Sequence, residues 1–93
     1  MQSSKPKQNN LLLYRRRMGF TQKQVARLLG HRDTTMVSRY EHSRSFPPLP
    51  VALSLEIILR VPVAFLFPSL YDEIKLRIRQ AEENISGGQG TLL

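Results

Sequence analysis

The sequence predicts an all-α fold of five short helices followed by a longer C-terminal one, on two observations. Apolar residues recur three and four positions apart in one segment after another. Between those segments stand residues that cap, reverse or break a helix: Gly19, Thr21 with Gln24, Gly30, Pro47-Pro48, Pro62 and Pro68.

Helix one is expected over residues 10–18, with Leu11, Tyr14 and Met18 on one face and Gly19 as its stop. Thr21 is a good N-cap, and Gln24 three positions on completes a capping box, so helix two should cover 22–29. Val25, Ala26, Leu28 and Leu29 form its inner side, and Gly30 supplies the left-handed residue that closes it. Asp33 is the capping candidate for a third helix over 34–42, where Val37 and Tyr40 face inward. Two successive prolines make 43–48 a loop, with Arg44 on it. Helix four starts near Leu49 or Pro50, carries Leu53, Leu55, Ile57, Ile58 and Leu59, and ends before Pro62. Helix five is a short piece over 63–67, stopped by Pro68.

After Pro68, Tyr71, Ile74, Ile78, Ala81 and Ile85 follow a heptad-like 3,4,3,4 spacing, one apolar stripe on a helix over 69–85. Such a stripe is the natural candidate for a dimer contact. The organisation is thus a flexible basic arm (1–9), a helical domain (10–68), the striped helix (69–85) and a Gly-rich tail (86–93) expected to be disordered.

Charge is distributed unevenly. Residues 1–50 hold ten Lys and Arg against Asp33 and Glu41, a net +8, whereas residues 51–93 carry −1. A polyanion would be drawn to the first half. Cysteine is absent, and His31 and His42 lack the neighbours of a zinc site, so no metal and no cofactor is expected. No nucleophile–base pair or phosphate-binding glycine loop is present, which speaks against an enzyme. The apolar stretch 49–70 contains Glu56 and Arg60 and is cut by three prolines, so it predicts core helices rather than a membrane span. The opening has no long apolar run after Lys5 and Lys7, and a cytoplasmic location is expected.

Two short helices joined by a Gly-containing turn, the second rich in short polar side chains, form a helix-turn-helix pattern. Its order here is Thr21-Gln22, Val25-Ala26, Leu29-Gly30, then Ser38-Arg39-Tyr40-Glu41, followed by Leu49, Leu53, Val61-Pro62-Val63 and Leu66-Phe67. Over residues 11–67 this resembles the Cro/C1-type (Xre family) helix-turn-helix domain. The resemblance implies a five-helix lambda-repressor-like DNA-binding domain with an additional C-terminal helix, acting in transcription regulation as a homodimer on double-stranded DNA. It implies base contacts from Thr34, Thr35, Ser38 and Arg39, phosphate contacts from Gln22 and Arg44, and a structural pair between Arg15 and Glu41. Lys23 and Arg32 complete the expected DNA-binding set. The chain departs from the family pattern in three places: one extra residue in the turn around His31-Arg32, Asp33 at the cap, and His42-Ser43 where Asn-Gly is frequent. An antitoxin that also binds a partner protein, and a protein-interaction module that does not bind DNA, are the alternatives.

Overall fold

The computed structural model describes residues 8–89, with side chains described through Ile85. Six helices and no strand occur among them: α1 (Leu11–Arg17), α2 (Gln22–Leu28), α3 (Thr35–Glu41), α4 (Leu49–Leu59), α5 (Val63–Leu66) and α6 (Pro68–Gln89). The fold is all-α, as the spacing predicts.

Local signals explain most of the boundaries. The capping box at α2 forms: the Thr21 hydroxyl accepts from the Gln24 N–H at 3.0 Å, and the Thr21 N–H donates back to Gln24 Oε1 at 2.8 Å. Gly19 and Gly30 take φ of +80° and +81°, which lets the chain reverse after α1 and α2. Thr34 is the N-cap of α3 but makes no side-chain cap bond. Asp33, one position earlier, accepts from the Thr35 N–H at 3.0 Å instead.

One core joins five of the helices: Leu11 from α1, Val25 and Ala26 from α2, Val37 and Tyr40 from α3, Leu55 and Leu59 from α4, Leu66 from α5, with Phe67 behind it. Full burial of side chains of this size stabilises by about 1.5–3 kcal/mol each, the driving force available to a chain without disulfides. α2 and α1 pack on α3, α4 on α5, and α5 on the start of α6. Ala26 is buried, and as a small residue it permits the close approach of helices expected of it.

Several expectations are corrected. Leu28 lies exposed, because the turn of α2 that buries Val25 and Ala26 carries position 28 to the outside. On α4 the inward face is Ala52, Leu55 and Leu59, so Leu53 and Ile57, at 47% and 75% exposure, face outward. An apolar helix has no polar face to orient it, and the neighbouring elements select the rotation. Pro68 opens α6 rather than only stopping α5; proline suits the first turn because it has no N–H to leave unpaired. α6 then runs through Ser86, Gly87 and Gly88 to Gln89, where a disordered tail is expected. Once a helix is nucleated, each further residue adds a hydrogen bond, and that propagation is what composition does not register. Residues 90–93 of the expected tail lie outside the described residues, as do residues 1–7 of the expected arm.

Asn9, assigned to that arm, is instead tied down. Its Oδ1 accepts from the Leu11 N–H at 2.9 Å, and its Nδ2 donates to Tyr40 O at 2.8 Å and to Ser43 Oγ at 3.0 Å. Asn10 holds the other side, its N–H donating to Leu66 O at 2.9 Å and its Nδ2 to Phe65 O at 3.0 Å. Those bonds outweigh the entropy of a free end.

From Tyr71 to Ile85 every residue of α6 is exposed. The helix projects from the domain, and the radius of gyration is 16.7 Å, against about 12 Å for a compact chain of this length. Among the described residues no helix is long and apolar enough to cross a membrane.

Candidate nucleic-acid interface

α3 has two chemically distinct faces. Val37 and Tyr40 are buried, Met36 packs against the core, and Glu41 is turned inward. Thr35, Ser38, Arg39 and His42, spaced i, i+3, i+4 and i+7, lie on the opposite side, with Thr34 half-buried at its start. Base-edge hydrogen bonding calls for short hydroxyl side chains and a guanidinium, which is what this outer face carries.

The inner end of α3 is fixed by charge. Arg15 Nε donates to Glu41 Oε2, its second fork nitrogen reaches Oε1 at 3.3 Å, and a third donor bonds Phe20 O at 2.9 Å. The two side chains are only 11% and 3% exposed, so the pair expected from the resemblance is a buried one. Gln22 joins it, Nε2 donating to Glu41 Oε1 at 2.9 Å. The Gln22 side chain, expected at phosphate, is therefore engaged in joining α2 to the end of α3.

The exit from α3 turns without glycine. Ser43 adopts φ +58°, a conformation that costs a residue with a Cβ about 1 kcal/mol. The Asn9 bond to Ser43 Oγ, together with Ser43 N–H to Tyr40 O at 3.1 Å and Arg44 N–H to Arg39 O at 2.9 Å, holds it there. His42 Nδ1 lies 2.8 Å from Ser38 O. Arg39 is exposed and is steadied by one bond, Nε to Ser45 Oγ at 3.3 Å; its two terminal nitrogens have no bond among the described residues.

Cations surround this face. Lys23 and Arg32 are exposed, and with Arg27, His31, Asp33 and Thr34 they line an open cleft of about 460 Å³ beside the α2–α3 turn. Arg44 is exposed on the following loop. Asp33 is the one acid here. Its carboxyl is held below its ordinary pKa, first by the Thr35 backbone N–H, then by the Thr35 side chain and by His31 nearby. His31 is half-buried with Nδ1 shut from solvent and without a hydrogen-bond partner among the described residues.

The fold thus brings Lys23, Arg32, Thr34, Thr35, Ser38, Arg39 and Arg44 around one helix, while Arg15, Gln22 and Glu41 form the network beneath it. Sequence reasoning missed Asn9, Arg27 and Glu56, whose Oε1 accepts from the Val63 N–H at 3.0 Å and so caps α5. Only Asn9 carried a usable signal, since asparagine just before a helix is a favoured cap. Among the described residues no group of His, Cys, Asp or Glu could hold a metal ion. Comparison with protein-family models, with curated proteins and with solved structures found no match for the chain.

Proposed function

We propose that the protein is a transcriptional regulator that binds double-stranded DNA sequence-specifically, with α3 in the major groove. The observation that carries this reading is the division of α3: an inner end locked by the Arg15–Glu41–Gln22 network, and an outer face of Thr35, Ser38 and Arg39 ringed by Lys23, Arg32 and Arg44. A readout helix needs both, because base contacts lose their discrimination when the side chains that make them are free to shift. The +8 charge of the first half supplies the attraction to phosphate that does not depend on sequence. Asp33 keeps its negative charge but turns its carboxylate to the Thr35 N–H at the start of α3. One such module spans few base pairs, so two copies on a two-fold site are the working form in the cytoplasm.

Arg39 and Arg44 separate reading from attraction. A preferred site is first selected from a random DNA pool, and binding to it and to random DNA is then measured across a salt series. Arg39→Ala should lose about 1–3 kcal/mol on the selected site, relax preference at one base pair, and change random binding little. Arg44→Ala should weaken both DNAs and lower the salt slope by about one unit. Equal losses on all sequences for Arg39→Ala, or no enriched site in the selection, would refute readout by this helix.

A further inference from the structure

We propose that α6 pairs antiparallel with α6 of a second copy of this chain, setting Ile74 of one subunit against Ile85 of the other. The proposal takes up the dimer of the reading above and gives it a face and a direction. Its test needs no DNA, so its failure and the failure of that reading are distinguishable.

The need for an occupant comes from exposure. Residues 71–85 are all exposed, and Tyr71, Ile74 and Ile78 form an apolar strip up one side of the helix, flanked by Lys75 and Arg79, with Ile85 further along it. A projecting helix is held by its own backbone bonds and by exposed ion pairs such as Arg77–Glu73 and Arg79–Glu82, which add little, and lengths of this order stay marginal in water. At its base the strip opens into an apolar groove of about 300 Å³, walled by Phe46, Phe67, Leu70, Tyr71 and Ile74. Phe46 stands half exposed over Phe67, ring centroids 6.4 Å apart, with one face of the groove unfilled.

The residues of the strip select the partner and its direction. Their 3,4,3,4 spacing is that of a two-helix seam, so a second copy presents the matching surface. Parallel pairing would stack like on like, Tyr71 on Tyr71 at one end and Ala81 on Ala81 near the other, giving layers of very unequal volume. Antiparallel pairing sets Tyr71 against Gly88, Ile74 against Ile85 and Ile78 against Ala81, then repeats those layers by symmetry. Large meets small or medium meets medium throughout, the condition for a seam without voids or overlaps. It also carries the far end of the partner's α6 to the mouth of the groove at Phe46 and Tyr71. Opposite charges meet in either direction, Lys75 with Glu82 when antiparallel and Arg77 with Glu82 when parallel, so a charge swap reports the direction as well.

The native chain has no cysteine, so single cysteines introduced at Ile74 and at Ile85 are unambiguous probes. Under mild oxidation of the full chain, a mixture of the Ile74→Cys and Ile85→Cys proteins should form the mixed disulfide. Ile74→Cys alone should stay unlinked, because eleven residues of helix hold its two copies about 16 Å apart in the antiparallel pair. Sedimentation should give a dimer for the native protein. Lys75→Glu should weaken it about tenfold, and adding Glu82→Lys should restore it. Disulfide formation by Ile74→Cys alone, a native monomer throughout the micromolar range, or no rescue by the second charge change would overturn the proposal.

Discussion

Arg15→Met tests whether the network beneath α3 holds the domain together. The substitution keeps most of the side-chain length but removes the charge and all three donations of the guanidinium, leaving the Glu41 carboxylate, 3% exposed, with Gln22 as its remaining partner. Removing one member of a buried pair costs about 3–5 kcal/mol, most of it the uncompensated charge left behind. Taking 3 kcal/mol and the roughly 4–8 °C per kcal/mol of a domain this size, the melting temperature should fall by about 12–24 °C. Urea unfolding followed by far-UV circular dichroism measures the loss directly. The double variant Arg15→Met/Glu41→Leu replaces both charges by apolar groups of similar bulk. It should recover to within about 1–2 kcal/mol of the native protein, because a well-packed apolar pair can match a buried ion pair. If Arg15→Met costs under about 1 kcal/mol, the pair behaves as a solvated surface bridge and the argument from burial fails. Losses that simply add in the double variant would refute the coupling itself.

Two further expectations concern single residues. Arg60 closes α4 with φ +60° while its side chain is exposed, so Arg60→Gly should relieve left-handed strain and raise stability by about 1 kcal/mol, read as a higher urea midpoint; an unchanged or lower midpoint counts against strain there. Asp33 has a lowered pKa in the folded chain, so its bond to the Thr35 N–H contributes at neutral pH and is lost as pH falls through that lowered value. In an NMR titration the Asp33 carboxyl and the Thr35 amide should move together with a midpoint below about 3.9, the value of a free aspartate, and a midpoint at or above it would contradict the bond.

The legible parts of the fold are those whose causes lie within a few residues of one another. The Thr21–Gln24 box, the left-handed Gly19 and Gly30 and the inward Val37–Tyr40 spacing all act inside one turn or two, so residue type and interval suffice to specify them. The rotation of α4 is different. Leu53, Leu55, Ile57 and Leu59 are chemically alike, and the choice of Leu55 and Leu59 for the core depends on what α5 and the other helices present. Asn9 was legible only in part: its bond to the Leu11 N–H is a local cap, but its partner Tyr40 O is 31 residues away. Ser43 and Arg60 adopt left-handed backbone although nothing in their side chains announces it; Ser43 is held there by Asn9, 34 residues away, and Arg60 closes α4 with its N–H on Glu56 O. At the candidate site the cationic ring was visible in composition, whereas the engagement of Gln22 with Glu41 emerges only once α2 and the end of α3 are brought together.

The small size of α3 gives these scattered contacts one common consequence. A helix of seven residues has few side chains to fix its rotation, and a slip of one residue turns it by about 100°, enough to exchange Arg39 for Tyr40 on the outer face. Val37 and Tyr40 resist that turn through the core, but apolar packing tolerates a shifted neighbour of similar volume. The directional restraints lie at the ends: Asp33 on the Thr35 N–H at the start, Glu41 gripped by Arg15 and Gln22 in the last turn, and Asn9 on Tyr40 O and Ser43 Oγ at the exit. Each is a hydrogen bond to a particular atom, and none survives a one-residue rotation. The outward direction of Ser38 and Arg39 is therefore set by residues that belong to the opposite face of the helix and to the segment before α1, and the polar outer face needs no rigidity of its own.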